Sequence, residues 1–210
     1  MHKSKIMVNG AQRTLGIKLS PFRGKHKVFL DGQPLGEFLN NKEAKIGKEF
    51  KIDFNNFIKI KYTVSFLTPE LCISHNGQEL ESSASHPKFK KNNAFGLIIF
   101  LAALNVLMGF AGMSNQVPLF SQAGYGIYNV FMGAFYCVAL GLFKSFNPFL
   151  GIVLALILYS IDSIIVLINI PGNPGISGAI IMRIMFFGLL IKGLMASYPE
   201  FKLSLSAKGN

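Results

Sequence analysis

The sequence has no tryptophan, only 2 cysteines, and 10 acidic residues against 21 basic ones in 210 positions. Each shortage excludes something. Cys72 and Cys137 lie in different halves of the chain, so no disulfide framework is expected, and the usage is that of a reducing compartment. All four histidines (2, 26, 75 and 86) precede the apolar half, which leaves no base for a Ser–His intramembrane protease. Asp162 is the one carboxylate inside the apolar runs, where an aspartyl intramembrane protease needs two. Neither a GxGxxG nor a P-loop pattern occurs, and the His and Cys positions lack zinc-site spacing. The expectation is a protein that is not an enzyme, with no catalytic residue, no metal and no cofactor.

Long apolar runs are also missing from the first 93 residues. No secretory signal opens the chain, so the leading segment is expected to stay in the cytoplasm. Residues 1–93 carry 16 of the 21 Lys and Arg and 8 of the 10 Asp and Glu, a net of +8 against +3 for the rest. A polar, basic head therefore precedes an apolar body whose weight lifts the mean hydropathy to +0.41.

The head, 1–87, reads as strands. In Phe57–Phe66 the residues Ile58, Ile60, Tyr62, Val64 and Phe66 share one face, while Lys59, Lys61, Thr63 and Ser65 take the other. Such alternation marks a half-buried strand. Shorter runs occur at 5–8, 14–19, 26–30, 50–53 and 71–74. Asp31-Gly32 and Asn76-Gly77 each follow a strand and suit type I′ hairpins, and His75 reads as part of its turn. Six to eight short strands imply a small all-β sandwich or barrel.

A basic juxtamembrane linker, 88–93, leads into four apolar segments at 94–113, 124–143, 148–170 and 176–197. Each is long enough to cross about 30 Å of hydrocarbon as a helix. The fold class expected is thus a mixed integral membrane protein, a cytosolic β-domain followed by a four-helix transmembrane α-bundle. Lys88, Lys90, Lys91 and Lys144 flank the spans on one side, with Lys192, Lys202 and Lys208 at or beyond the last. The loops 114–123 and 171–175 carry no charge. The positive-inside rule then puts both termini in the cytoplasm, of an inner or plasma membrane in a bacterium. Tyr125, Tyr128 and Tyr198 fall at span ends, where interfacial aromatics belong. The tail, 199–210, follows a helix-breaking Pro199. Its alternating run 201–206 leaves two options, a strand added to the head or a frayed end at the membrane surface.

Polar residues inside the spans are few. Asp162 lies 11 residues before Asn173 and Arg183 lies 10 after it, so a helical hairpin brings opposite charges to one depth. Alone, each costs roughly 2.5–3.5 kcal/mol near the centre of a span. With Asn105, Asn129 and Tyr159 they form a candidate polar belt, read either as an ion, proton or ligand site or as a network that locks helix register. Ala102, Gly109 and Gly112 share a stripe with Asn105, and Gly126 and Gly133 share one with Asn129, small residues at spacings that let helices approach closely.

The expected role is a non-enzymatic, membrane-anchored binding or sensing module, self-associating through the small-residue faces. Its partners are the lipid bilayer, further copies of itself, and a protein or small-molecule ligand of the β-domain. The lysines at 88, 90, 91 and 144 are expected to contact the anionic inner leaflet. The basic run 23–27 with Lys59 and Lys61 carries no nucleic-acid signature, so nucleic acid is not an expected partner. The alternative is a signal-gated channel or membrane-permeabilising effector in which the β-domain receives the signal.

Overall fold

A computed structural model describes residues 2–18, 26–65, 68–114, 126–169 and 176–206. Phe66, Tyr125, the basic run 23–25, nearly all of the 114–123 loop and the 171–175 loop lie outside them. The chain divides into two compact units, Met1–Phe89 and Lys90–Asn210.

The first unit contains two antiparallel meanders of four strands each. One sheet holds β1 (His2–Val8), β2 (Ala11–Lys18), β3 (Lys27–Leu30) and β4 (Gln33–Glu37); the other holds β5 (Lys48–Lys51), β6 (Phe57–Ser65), β7 (Thr68–His75) and β8 (Gln78–Glu79). Period-two alternation explains the layering. Ile6, Val8, Leu15, Ile17 and Val28 of the first sheet and Phe50, Ile58, Ile60 and Ile73 of the second enter one core, all at most 5% exposed. In β6 the inward face ends at Tyr62, because Val64 is 60% exposed.

Three hairpins use the same turn. Asn9-Gly10, Asp31-Gly32 and Asn76-Gly77 all have positive φ at both residues, between 49° and 84°, the type I′ geometry that matches strand twist. Two elements escape the reading by periodicity. β4 contains Pro34 and Gly36, both poor strand formers. A short helix, α1 (Asn41–Ile46), is instead fixed by its cap: Asn40 Oδ1 accepts from Glu43 N–H at 2.9 Å, and the Glu43 carboxylate accepts from Leu39 N–H at 2.7 Å.

The second unit is built from α2 (Pro87–Met113), α3 (Ile127–Ser145), α4 (Pro148–Asn169) and α5 (Ile176–Ser206), of which α2 starts three residues before it. All four are long and apolar enough to cross a membrane. Two boundaries differ by more than three residues from the sequence expectation. Residues 88–93 form the opening turns of α2 and are no separate linker, since Pro87 needs no N–H partner in a first turn. The stretch 201–206 is helical and forms no strand: α5 runs through Pro199, and stacking of Phe149 on Phe201 (centroids 4.5 Å apart) secures its last turns.

The helices meet in a ring, α2–α3–α4–α5 and back to α2, and glycines set several of the approaches. A Cβ at Gly109 would fall 2.7 Å from the Val130 backbone nitrogen, and one at Gly151 would fall 2.6 Å from Ala139 O. At Gly133 a Cβ would run into Val106, and at Gly193 into Ala94. The interior they enclose is lined by buried, mainly apolar side chains. Leu97, Ile98, Leu101, Met132, Tyr136, Ile152, Leu158 and Leu190 are all at most 8% exposed. The outward faces are apolar too: Leu107, Phe110, Phe131, Phe135, Ile157, Ile164, Ile181 and Ile184 are 49–68% exposed. A water-soluble bundle does not present so continuous an apolar surface.

Candidate functional site

The residues of the expected polar belt fall into two groups built on two pairs, with no hydrogen bond between the groups among the described residues. The first joins α2 to α3. Gly126 N–H donates to Asn129 Oδ1 (3.3 Å), Asn129 Nδ2 to Asn105 Oδ1 (3.3 Å), and Asn105 Nδ2 to Leu101 O (2.9 Å). Both side chains are buried, so the relay satisfies amides that would otherwise be costly to place there. The two small-residue stripes face one another at this seam. Gly109 abuts Val130, and Gly133 abuts Val106 and the Ala102 carbonyl. Gly126 has open space around its Cα and serves as the N-cap of α3, while Gly112 is half-buried on α2. These stripes are therefore occupied within one chain.

The second pair joins α4 to α5. Arg183 Nη1 donates to Asp162 Oδ2 at 3.0 Å and to Ser163 Oγ at 2.7 Å. Its guanidinium carbon lies 5.8 Å from the centroid of the Tyr159 ring, and the Tyr159 hydroxyl points to Arg183 O at 3.5 Å. The pairing follows from the equal residue counts on either side of the α4–α5 connection. Neither side chain is sealed: 21% of Arg183 and 16% of Asp162 remain exposed. Ser163 completes the site and was not singled out by sequence. The only hint was its place beside Asp162, within the arginine's reach. The pair carries no net charge, so it can orient a neutral acceptor or hold helix register.

No protein-family model, curated protein or solved structure matches this chain.

The lysines at the span ends differ in setting. Lys88 bonds Glu81 at 2.6 Å, Lys91 pairs with Glu200 of α5, Lys90 is half-buried, and Lys144 is exposed. In the β unit, Lys59 pairs with Glu49 at 3.4 Å and Lys61 lies opposite Cys72. A shallow groove of about 610 Å³ on the outer face of the first sheet is lined by Lys3, Thr14, Gly16, Lys18, Phe29, Asp31 and Gly32. Asp31 is held below the usual carboxylate range by the Thr14 N–H at 2.7 Å and by Arg13 at 2.8 Å, which fixes that hairpin.

A third polar cluster went unread in the sequence, because its members are spread over 67 positions. Asn56 is 7% exposed, and its Nδ2 donates to Asn9 Oδ1 and to the Asp53 carboxylate. Its Oδ1 faces His75 Nε2 and Asn76 Nδ2, each at 3.2 Å. The cluster ties together three hairpin ends. With every described member bonded to another it reads as a fastening, and no group of three or more metal-binding side chains occurs among the described residues.

Proposed function

We propose that this protein is a non-enzymatic, membrane-anchored binding or sensing module. In this reading α2 to α5 cross the bilayer, both termini are cytoplasmic, and the β unit offers its basic sheet groove to a protein or small-molecule ligand on that side. The observation that carries the reading is the buried, mainly apolar interior of the bundle. Its buried cluster consists of leucine, isoleucine, alanine, methionine and tyrosine side chains, with the asparagines paired and the Asp162–Arg183 pair neutral. A water-filled path needs a polar lining, whereas a bundle of this kind suits an anchor. The occupied small-residue stripes add that self-association, where it occurs, uses other surfaces.

The test is made in intact cells expressing a cysteine-free background, Cys72→Ser with Cys137→Ala. Single cysteines at Ser121 and Asn173 are expected to react with an impermeant maleimide, and those at Asn40 and Ser206 to be protected. Dye entry and membrane potential in the same cells should match the empty vector, also after Asn105→Leu or Arg183→Gln. The reverse labelling pattern overturns the orientation. Leakage induced by a well-inserted variant favours the gated channel instead.

A further inference from the structure

One seam of the bundle is held open. Between Ser160, Ser163 and Ile164 of α4 and Ile180, Ile184 and Phe187 of α5 runs a groove of about 440 Å³, which Tyr159 and Arg183 also line. Its surface is mainly aliphatic and aromatic, with polar groups supplied by Tyr159, Ser160, Ser163 and Arg183. That arginine is one-fifth exposed, and among the described residues its side-chain hydrogen bonds leave through Nη1 alone. A guanidinium has five N–H donors, so donors remain for an occupant. Ser163 Oγ already accepts from Arg183, which leaves its own proton to give.

Three features define what fits. Asp162 cancels the arginine's charge, so the fitting head is a neutral acceptor such as a carbonyl, and a bare anion gains little. Arg183 lies seven residues into α5, about 10 Å along the axis from the first residue of the helix. From there its stem can carry the guanidinium toward the polar boundary of the bilayer, the level at which lipid ester groups lie. The volume excludes a transmembrane helix as a snug occupant. One helical turn, about 10–12 Å across and 5.4 Å long, already fills roughly 500 Å³, whereas a flexible hydrocarbon chain can follow the groove.

We propose that this groove holds a diacyl glycerophospholipid. One acyl chain lies along Ile180, Ile184 and Phe187, and an ester carbonyl accepts from Arg183 or Ser163. The bound lipid covers the exposed part of the ion pair and packs along the α4–α5 seam beside it. The proposal rests on the reading that α2 to α5 cross a bilayer.

The full chain is reconstituted in phosphatidylcholine vesicles containing a phosphatidylcholine with a photoreactive diazirine on one acyl chain. After illumination the labelled peptides are mapped by mass spectrometry. Labelling is expected at 159–164 and 180–187 at about fivefold the level on outward positions such as Leu107 and Phe131, a preference of about 1 kcal/mol. Ile184→Trp fills the groove from an exposed position and should remove that excess, whereas Leu107→Trp should not. Uniform labelling of an inserted protein, or an excess that survives Ile184→Trp, overturns the lipid site and leaves the anchor reading intact. Exclusion of label, together with disulfide cross-linking between chains that carry Ile184→Cys in the cysteine-free background, overturns it in favour of a second copy. Extraction of the chain from vesicles by alkaline carbonate overturns both readings.

Discussion

Removing either member of the Asp162–Arg183 pair should destabilise the bundle, and removing both should cost far less than the sum. Arg183→Leu strips the Asp162 carboxylate of the donor 3.0 Å away, the one hydrogen bond that reaches it among the described residues. A charge left without a partner in an apolar site is costly, so this loss should sit near the high end of the roughly 3–5 kcal/mol typical of broken buried pairs, about 5 kcal/mol. Asp162→Leu leaves a charge that still has partners. Arg183 keeps Ser163 at 2.7 Å and the Tyr159 ring, and it is one-fifth exposed, so this cost should sit near the low end of that range, about 3 kcal/mol. The double leucine variant should return to within about 1 kcal/mol of the wild type. Unfolding in mixed micelles with increasing SDS, followed by circular dichroism, measures all four corners of the cycle. Additive losses, or an Asp162→Leu deficit larger than that of Arg183→Leu, would refute the argument.

Two further perturbations test the packing of each unit. Gly109→Ala drives a methyl to 2.7 Å from the Val130 backbone nitrogen, which cannot swing away, and should cost about 1–3 kcal/mol in the same assay; Gly141→Ala, with nothing within 4 Å, should be neutral or gain about 0.5–1 kcal/mol. In the β unit, burial lowers the pKa of His26, which sits between the Phe38 and Tyr62 rings with centroids 6.1 and 5.9 Å away. The unfolded chain, with a histidine pKa of about 6.5, therefore takes the proton first, and stability should fall between pH 7 and pH 5. His26→Phe should flatten that slope in a calorimetric pH series, apart from the share due to His2, whose pKa is also lowered by burial.

What the sequence discloses depends on how local the cause is. The Asp31-Gly32 and Asn76-Gly77 turns are legible because two adjacent residues carry the required φ values. Asn9-Gly10 obeys the same rule and is hidden only by the brevity of the flanking signal. The ion pair is legible because a helical hairpin turns equal residue counts into equal depth. The partners of the glycine stripes are not, because periodicity gives a face without naming the helix that meets it. Pro199 predicts a break by backbone chemistry. The helix persists because Phe149 packs on Phe201 and Tyr198, a contact between residues 52 and 49 positions apart. The Asn56 cluster and the α4–α5 groove likewise exist only once distant segments are assembled.

The glycines at the helix seams bear on the gene as well as on the protein. Every missense change that a single base can make in a glycine codon introduces a side chain, and at Gly109, Gly133, Gly151 and Gly193 even the smallest meets a neighbouring helix. Since most proteins sit just above the stability they need, selection has little room to admit such changes. These four codons should therefore accept silent substitutions almost exclusively, while the outward isoleucines and phenylalanines drift among one another. Such a contrast would be written into natural variation at the level of single codons.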